Sequence, residues 1–526
     1  MSEVIHPLNA GATPDATSGG SADIRRTPRS PTIADGFSDR DLAGFGRPGK
    51  MKVLEQCLTT TVTAVLRILL GIYFRRLELF HAERVPLNGP VLFASNHPGS
   101  VTDAFIIGAL VPRTVHFVAT VQLFRFPPLA WLLRQCGIIP VNRLKDDPRA
   151  MRSVLNTFEA CYRVLEQGGA VGIFPEGITY DDAQLKTVKT GAARMALELE
   201  HRHGGSLGLK IVPVGLTYSA KERYRSEMLV HFGEPIDVAK FLDGYAARRK
   251  ECINSLSAEL EQRLQSLIVH LPKLELGRIV EAVKRLYLER LKPGNLMVQE
   301  PLAPRAEELV LTQAIAGAAE WAERMVPEDF RAFARKLNDY ERWRARLKLP
   351  EDASEGCLQK RSLPAGGGLS WALLGVVGAP FAVYGWAHRL LPYVLVRWVA
   401  ARFTNPGARK AQTPHASMLA GALAFGGCYA FYVWLAHRWF GWPVSLWYAL
   451  SLPVTGLVAH YYFQGARRFA DALRAWLIVM RVPFAAKRLA RRHGELIAEI
   501  EALRLEYRRF LQNHSNASRD MNSAVP

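Results

Sequence analysis

A chain of 526 residues is too long for one ordinary hydrophobic core, and its length predicts about two to four structural units. Its formal net charge of +19 demands an anionic partner, but no zinc-finger spacing, basic zipper or RNA-binding aromatic block accompanies it, which argues against nucleic acid. Long apolar runs beside basic clusters favour an anionic membrane surface, and the scattered cysteines (Cys57, Cys136, Cys161, Cys252, Cys357, Cys428) offer neither metal-ligand spacing nor a disulfide framework, so a reducing, cytosol-facing setting is expected.

In chain order, residues 1–47 are rich in Gly, Ser, Thr, Pro and Asp and read as a disordered tail without a secretory signal. Residues 48–76 hold an apolar stretch broken by Glu55, Gln56 and Arg67 and closed by Arg75-Arg76, which predicts an interfacial or re-entrant helix, with packing on a globular domain as the alternative. Residues 77–240 alternate short apolar runs with helical periodicity. Val91 to Ser95, Ala170 to Phe174 and Leu209 to Val214 read as buried strands, and Pro148 to Gln167 and Thr190 to His201 as helices. That succession predicts an α/β sandwich with a largely parallel sheet, which places active residues at strand ends.

Residues 241–365 are charged and helical without a chemical motif. From 366 to 465 come apolar runs at Leu369 to Ala387, Ser417 to Ala436 and Pro443 to Phe463. Arg397, Arg402, Arg409 and Lys410 precede the second run and Arg467, Arg468 and Arg474 follow the third, so the positive-inside tendency puts both clusters on one side. This predicts a transmembrane hairpin over 417–463, turned at Arg438 to Trp442. The earlier run, interrupted by Pro380 and Pro392, is expected to be re-entrant or interfacial, with a third crossing as its competitor. Residues 466–526 read as an amphipathic helical C-terminus with a disordered end. Its stripe of Leu496, Ile500, Leu503, Tyr507 and Phe510 suits a helix packed on the domain better than a coiled coil.

The chemistry gathers in four blocks: Asn96-His97-Pro98-Gly99-Ser100-Val101-Thr102-Asp103, Gly137 to Arg143, Phe174-Pro175-Glu176-Gly177, and Ile211 to Leu216. A neutral histidine can act as a general base, and His97 is the candidate. A carboxylate on the far ring nitrogen would fix the tautomer and stabilise the imidazolium, and Asp103 can supply it. On one continuous helix the six-position offset would rotate Asp103 away from His97. A turn at Pro98-Gly99-Ser100, with the helix starting near Ser100 or Val101, brings it back beneath the ring. Pro175 and Gly177 shape a tight turn after a strand.

These blocks, in this order, resemble the glycerolipid acyltransferase family over about residues 75–240. The resemblance implies an enzyme that moves an acyl chain from acyl-CoA or acyl carrier protein onto a phosphorylated glycerol acceptor, with no cofactor and no metal. It implies His97 and Asp103 as catalytic residues, and Asn96, Arg143, Phe174, Pro175, Glu176, Gly177, Lys189 and Pro213 as substrate-binding ones. Arg143 would hold the acceptor's phosphate, Glu176 would orient its free hydroxyl or anchor Arg143, and Pro213 would lie in an acyl-chain or donor segment. The common pattern has four residues between His and Asp, whereas five stand here, and Ile178-Thr179-Tyr180 replaces the arginine usual in lysophosphatidate enzymes. Both departures resemble the branch that acylates glycerol 3-phosphate or dihydroxyacetone phosphate, with Lys186 or Lys189 supplying positive charge. Lysophosphatidate acylation is the rival, and a non-catalytic membrane lipid-binding scaffold is the rival from another class. The expected location is a membrane, read as a bacterial inner membrane, with the catalytic domain facing the cytoplasm and anionic lipids as partners.

Overall fold

The structure is a computed structural model that describes residues 53–125, 127–141, 151–177, 185–220, 223–271, 274–287, 304–347, 368–403 and 409–523. The expected tail over 1–47, Arg143, Pro148, Ile178-Thr179-Tyr180 and Gly366-Gly367 lie outside the described residues. Helix α1 (Val53–Tyr73) runs without a linker into strand β1 (Phe74–Phe80). There follow β2 (Val91–Ser95), α2 (Val101–Leu110), β3 (Val115–Thr120), α3 (Pro127–Gln135), β4 (Ile139–Val141), α4 (Met151–Glu166), β5 (Ala170–Ile173), α5 (Gly191–Arg202), β6 (Lys210–Tyr218), β7 (Ser226–Phe232) and β8 (Ile236–Asp237).

The strands form an eight-stranded sheet ordered β1-β7-β6-β2-β5-β3-β4, with β8 also paired to β6. Every pairing is parallel except β6 with β7 and β6 with β8. Strand β2 sits between β5 and β6, and all of its residues are buried. A strand covered on both faces needs an unbroken apolar run, which Val-Leu-Phe-Ala supplies. The core beneath it gathers Leu70, Phe74, Phe93, Ile106, Ile107, Phe117, Val212, Val230 and Phe232.

Helix α1 has two unlike faces. Leu70 and Tyr73 are buried in that core and Arg67 donates from Nε to the Ala109 carbonyl at 2.6 Å, while Val65, Ile68 and Ile72 are exposed. It thus packs on the domain along one face and presents apolar side chains along another.

Helices α6 (Arg249–Leu267), α7 (Leu274–Tyr287), α8 (Pro304–Met325) and α9 (Pro327–Arg346) follow the sheet. Arg305 at the start of α8 pairs with Glu227 of β7, which Arg75 of β1 also binds, so one buried carboxylate fastens the helical region to the sheet. Helix α10 (Gly368–Phe403) corrects the expectation of an interrupted segment, because it passes through Pro380 and Pro392 without ending. Each proline removes one internal hydrogen bond, and packing against neighbouring helices compensates where the helix is supported laterally. Tyr384 meets Ser451 at 2.9 Å, and the Tyr462 hydroxyl donates to the Gly375 carbonyl at 3.0 Å. Over its 36 residues α10 is about 54 Å long.

Helix α11 (Arg409–Arg481) is broken at Gly441 (φ 75°, ψ −177°), a left-handed value that glycine adopts without strain. The ring of His388 on α10 lies 5.6 Å from Tyr432 before that break and 5.7 Å from Tyr448 after it, so the two arms of α11 fold back on each other. Among the described residues, one helical stretch, Ser417–Ile478, is long and apolar enough to cross a membrane. Helix α12 (Pro483–Ser523) buries Leu489, Leu496, Ile497 and Ile500 against Phe333, Leu337 and Tyr340 of α9.

Candidate active site

Register brings the site together. Ala94 of β2 pairs with Ile173 of β5 and with Pro213 of β6, so His97 and Phe174 both leave the sheet at the carboxyl ends of adjacent parallel strands. The two rings stack with centroids 3.9 Å apart and planes 18° from parallel, and Phe117 stacks behind Phe174 at 6.1 Å. Phe174 thereby sets the plane of the imidazole.

Between His97 and Asp103 the chain makes the turn that the spacing requires. Ser100 takes φ 57° and ψ −133°, and α2 starts at Val101 with Asp103 in its first turn. Gly99 N–H donates to Asp103 Oδ2 at 2.8 Å, and His97 Nδ1 lies 3.0 Å from the same oxygen. A Cβ on Gly99 would stand 2.3 Å from the Tyr218 hydroxyl and 2.6 Å from Asp103 Oδ1, so only glycine fits there. Asp103 is 0 % exposed, and a carboxylate buried that deeply needs a donor on each oxygen. Tyr218 provides the remaining one, donating to Oδ1 at 2.5 Å. Burial, reinforced by the Asp103 charge, holds the Tyr218 hydroxyl well above its usual range, so it stays a donor. Sequence reading missed Tyr218, since no local spacing ties it to Asp103.

With Nδ1 engaged, Nε2 of His97 makes no hydrogen bond among the described residues, and the side chain is 14 % exposed. A ring held in this tautomer can take a proton from a hydroxyl and pass it on.

Glu176 and Asn96, expected among the substrate-binding residues, both hydrogen-bond to the backbone around the site. Glu176 is 1 % exposed. Its Oε1 accepts from His97 N–H at 3.0 Å and its Oε2 from Lys186 N–H at 2.9 Å, which ties the turn after β5 to the turn after β2. Asn96, 3 % exposed, donates to the Leu216 carbonyl at 3.1 Å and accepts from Leu216 N–H at 2.7 Å, replacing a ladder bond where β2 ends. Pro175 and Gly177 form the expected turn. Gly177 has φ 66° and its N–H reaches the Phe174 carbonyl at 3.0 Å, while Lys189 N–H reaches the Pro175 carbonyl at 3.0 Å. A Cβ on Gly177 would come within 2.6 Å of Lys189 Nζ, so this exposed ammonium lies against the turn. Pro213 is buried inside β6, between residues paired with β8 and residues paired with β7, where its missing N–H costs neither ladder a bond.

Residues 76–217 match the family model named Acyltransferase. The glycerol-3-phosphate O-acyltransferase 1 of Saccharomyces cerevisiae is 31% identical over 134 residues, which are 25% of this chain and 18% of that one. The chain therefore spans about a fifth of that relative's length. The 1-acyl-sn-glycerol-3-phosphate acyltransferase of Bacillus subtilis is 26% identical over 197 residues, 36% of this chain and 90% of the bacterial protein. The crystal structure of the 1-acyl-sn-glycerophosphate (LPA) acyltransferase PlsC from Thermotoga maritima aligns with 42% of this chain and 85% of its own, at 18% identity and a TM-score of 0.30. Residues 76–217 of this chain are thus a domain of the acyltransferase family, with relatives among both glycerol-3-phosphate and lysophosphatidate acyltransferases.

Proposed function

We propose that the protein is a membrane-bound O-acyltransferase that moves a fatty acyl group from acyl-CoA, or acyl carrier protein, to the first hydroxyl of glycerol 3-phosphate or dihydroxyacetone phosphate. The observation that carries this reading is the His97–Asp103 pair, with Nδ1 held at 3.0 Å and Nε2 without a hydrogen bond among the described residues. Nε2 takes the hydroxyl proton as the oxygen bonds the thioester carbonyl carbon. Asp103 stabilises the imidazolium, the carbon–sulfur bond breaks, and the proton passes to the departing thiolate.

Around that pair the roles divide by position. Tyr218 and Gly99 N–H hold Asp103, Phe174 holds the ring plane, and Glu176 and Asn96 position the His97 backbone. Lys189 and Arg143 attract the acceptor's phosphate, Arg143 through a planar fork suited to it. Helix α11 enters the bilayer as a hairpin turned at Gly441. Met418 belongs to the core beneath β2, while His460 and Tyr461 touch the loop before β7, so both feet of the hairpin stand beside the catalytic domain. That agrees with basic flanks on one side.

Lysophosphatidate is the second acceptor, favoured by the similarity to the Bacillus subtilis protein, which extends over most of that relative. Purified protein assayed with labelled acyl-CoA and each acceptor in turn decides between them. The reading predicts a specificity constant for glycerol 3-phosphate or dihydroxyacetone phosphate well above that for lysophosphatidate. Transfer to none of them refutes catalysis and leaves a lipid-binding scaffold.

A further inference from the structure

At the foot of the hairpin, two arginines from distant parts of the chain converge. Arg225, in the loop before β7, donates from Nη2 to the Tyr461 hydroxyl at 2.8 Å, and its neighbour Tyr224 meets the His460 ring edge-on at 5.5 Å. The Arg225 backbone is held at φ 62°, its N–H bound to the Tyr73 carbonyl at 2.7 Å, and its Nε is buried without a partner among the described residues. Arg389 of α10 donates to the Gly456 carbonyl and lies 5.8 Å over the Phe425 ring. The Tyr429 hydroxyl and the Arg389 stem close around Gly456, where a Cβ would lie 3.4 Å from the one and 3.2 Å from the other. Both guanidinium charges bear on His460.

Among the described residues neither arginine has a carboxylate partner, and no Asp or Glu occurs between Glu355 and Asp471, so helix α10 and the part of α11 up to Ala470 cannot supply one. Partly desolvated positive charge without a counter-ion is costly, and ionisable groups inside apolar helices mark binding sites. Trp386, Leu390 and Leu457 nearby in sequence are exposed and apolar, which suits acyl chains better than water. We propose that Arg225 and Arg389, with His460, bind the phosphate of an anionic phospholipid, at a place separate from the groups around His97. Two guanidinium forks can share the oxygens of one phosphate, and the Tyr429 and Tyr461 hydroxyls add neutral donors.

This inference rests on the reading that α10 and α11 lie in a bilayer, and one experiment separates the two. Full-length protein is reconstituted into phosphatidylcholine nanodiscs and titrated with spin-labelled phosphatidate. Arg225→Gln and Arg389→Gln each weaken phosphatidate binding by about tenfold or more, and Arg389→Lys, which keeps charge but loses the fork, weakens it less. Arg438→Gln, an exposed arginine beside the hairpin turn, leaves it unchanged, and millimolar inorganic phosphate does not displace the lipid. Binding by melting-checked Arg225→Gln and Arg389→Gln proteins equal to that of the unsubstituted chain overturns the site. Displacement by inorganic phosphate overturns its assignment to a lipid. A chain that stays soluble and will not enter nanodiscs refutes the membrane reading instead.

Discussion

Replacing Asp103 by Asn removes a charge while keeping a shape. The carboxylate accepts from His97 Nδ1 at 3.0 Å and Gly99 N–H at 2.8 Å on one oxygen, and from Tyr218 at 2.5 Å on the other. An asparagine can turn its oxygen toward the first two donors and its amide toward Tyr218, whose hydroxyl then accepts, so the ring keeps its place. What disappears is attraction between the carboxylate and the imidazolium that forms during transfer. With charge centres about 4 Å apart at an effective dielectric constant near 20, that attraction is about 4 kcal/mol. It corresponds to about a thousandfold in rate. Initial rates of labelled acyl transfer, with kcat and KM separated for the acceptor, should show the loss in kcat and little change in KM. A folded Asp103→Asn protein that keeps kcat within tenfold of the unsubstituted enzyme would show that no proton settles on His97 during transfer.

Four further outcomes follow from the geometry. Tyr218→Phe deletes a donor to a buried carboxylate and should cost about 1.5–3 kcal/mol of stability, read from chemical denaturation in detergent, with a smaller fall in kcat than Asp103→Asn causes. An unchanged denaturation midpoint would contradict the hydrogen bond. Arg143→Lys should raise KM for the phosphorylated acceptor and spare acyl-CoA; the reverse pattern would reassign Arg143 to the donor. Burial drives His231 down to about 4, against about 6.5 when unfolded, so the unfolded chain binds more protons between those values. Stability should therefore drop by about 2 kcal/mol from pH 7 to pH 5, and His231→Gln should lessen the drop; a pH-independent midpoint would refute the assignment. Cysteines placed near Arg409 and Arg468 should both resist an impermeant thiol reagent added outside intact cells while one near Trp439 reacts; labelling of only one basic flank would break the hairpin.

Local pattern revealed what is local. Val91 to Ser95 and Ala170 to Phe174 announced buried parallel strands because such strands need continuous apolar runs, and the five-residue gap from His97 to Asp103 forced a turn before the helix. Tyr218 lies 115 positions from Asp103, and no periodicity links them; only the pairing of β6 with β2 does. The backbone amides that Glu176 and Asn96 bond were not legible, because they depend on which loops the fold brings together. Pro380 and Pro392 misled because an isolated helix breaks at proline, whereas α10 is braced by α11.

Tyr73 closes α1 and Phe74 opens β1, so no hinge stands between the apolar helix and the sheet. The Tyr73 carbonyl is also the acceptor for Arg225 N–H, which couples the same junction to the loop before β7. On the proposed membrane reading, once the exposed side of α1 with Val65, Ile68 and Ile72 settles in lipid, the elevation of the strand ends that carry His97 is set along with it. An enzyme so placed would work at a fixed height, like a tool clamped to its bench.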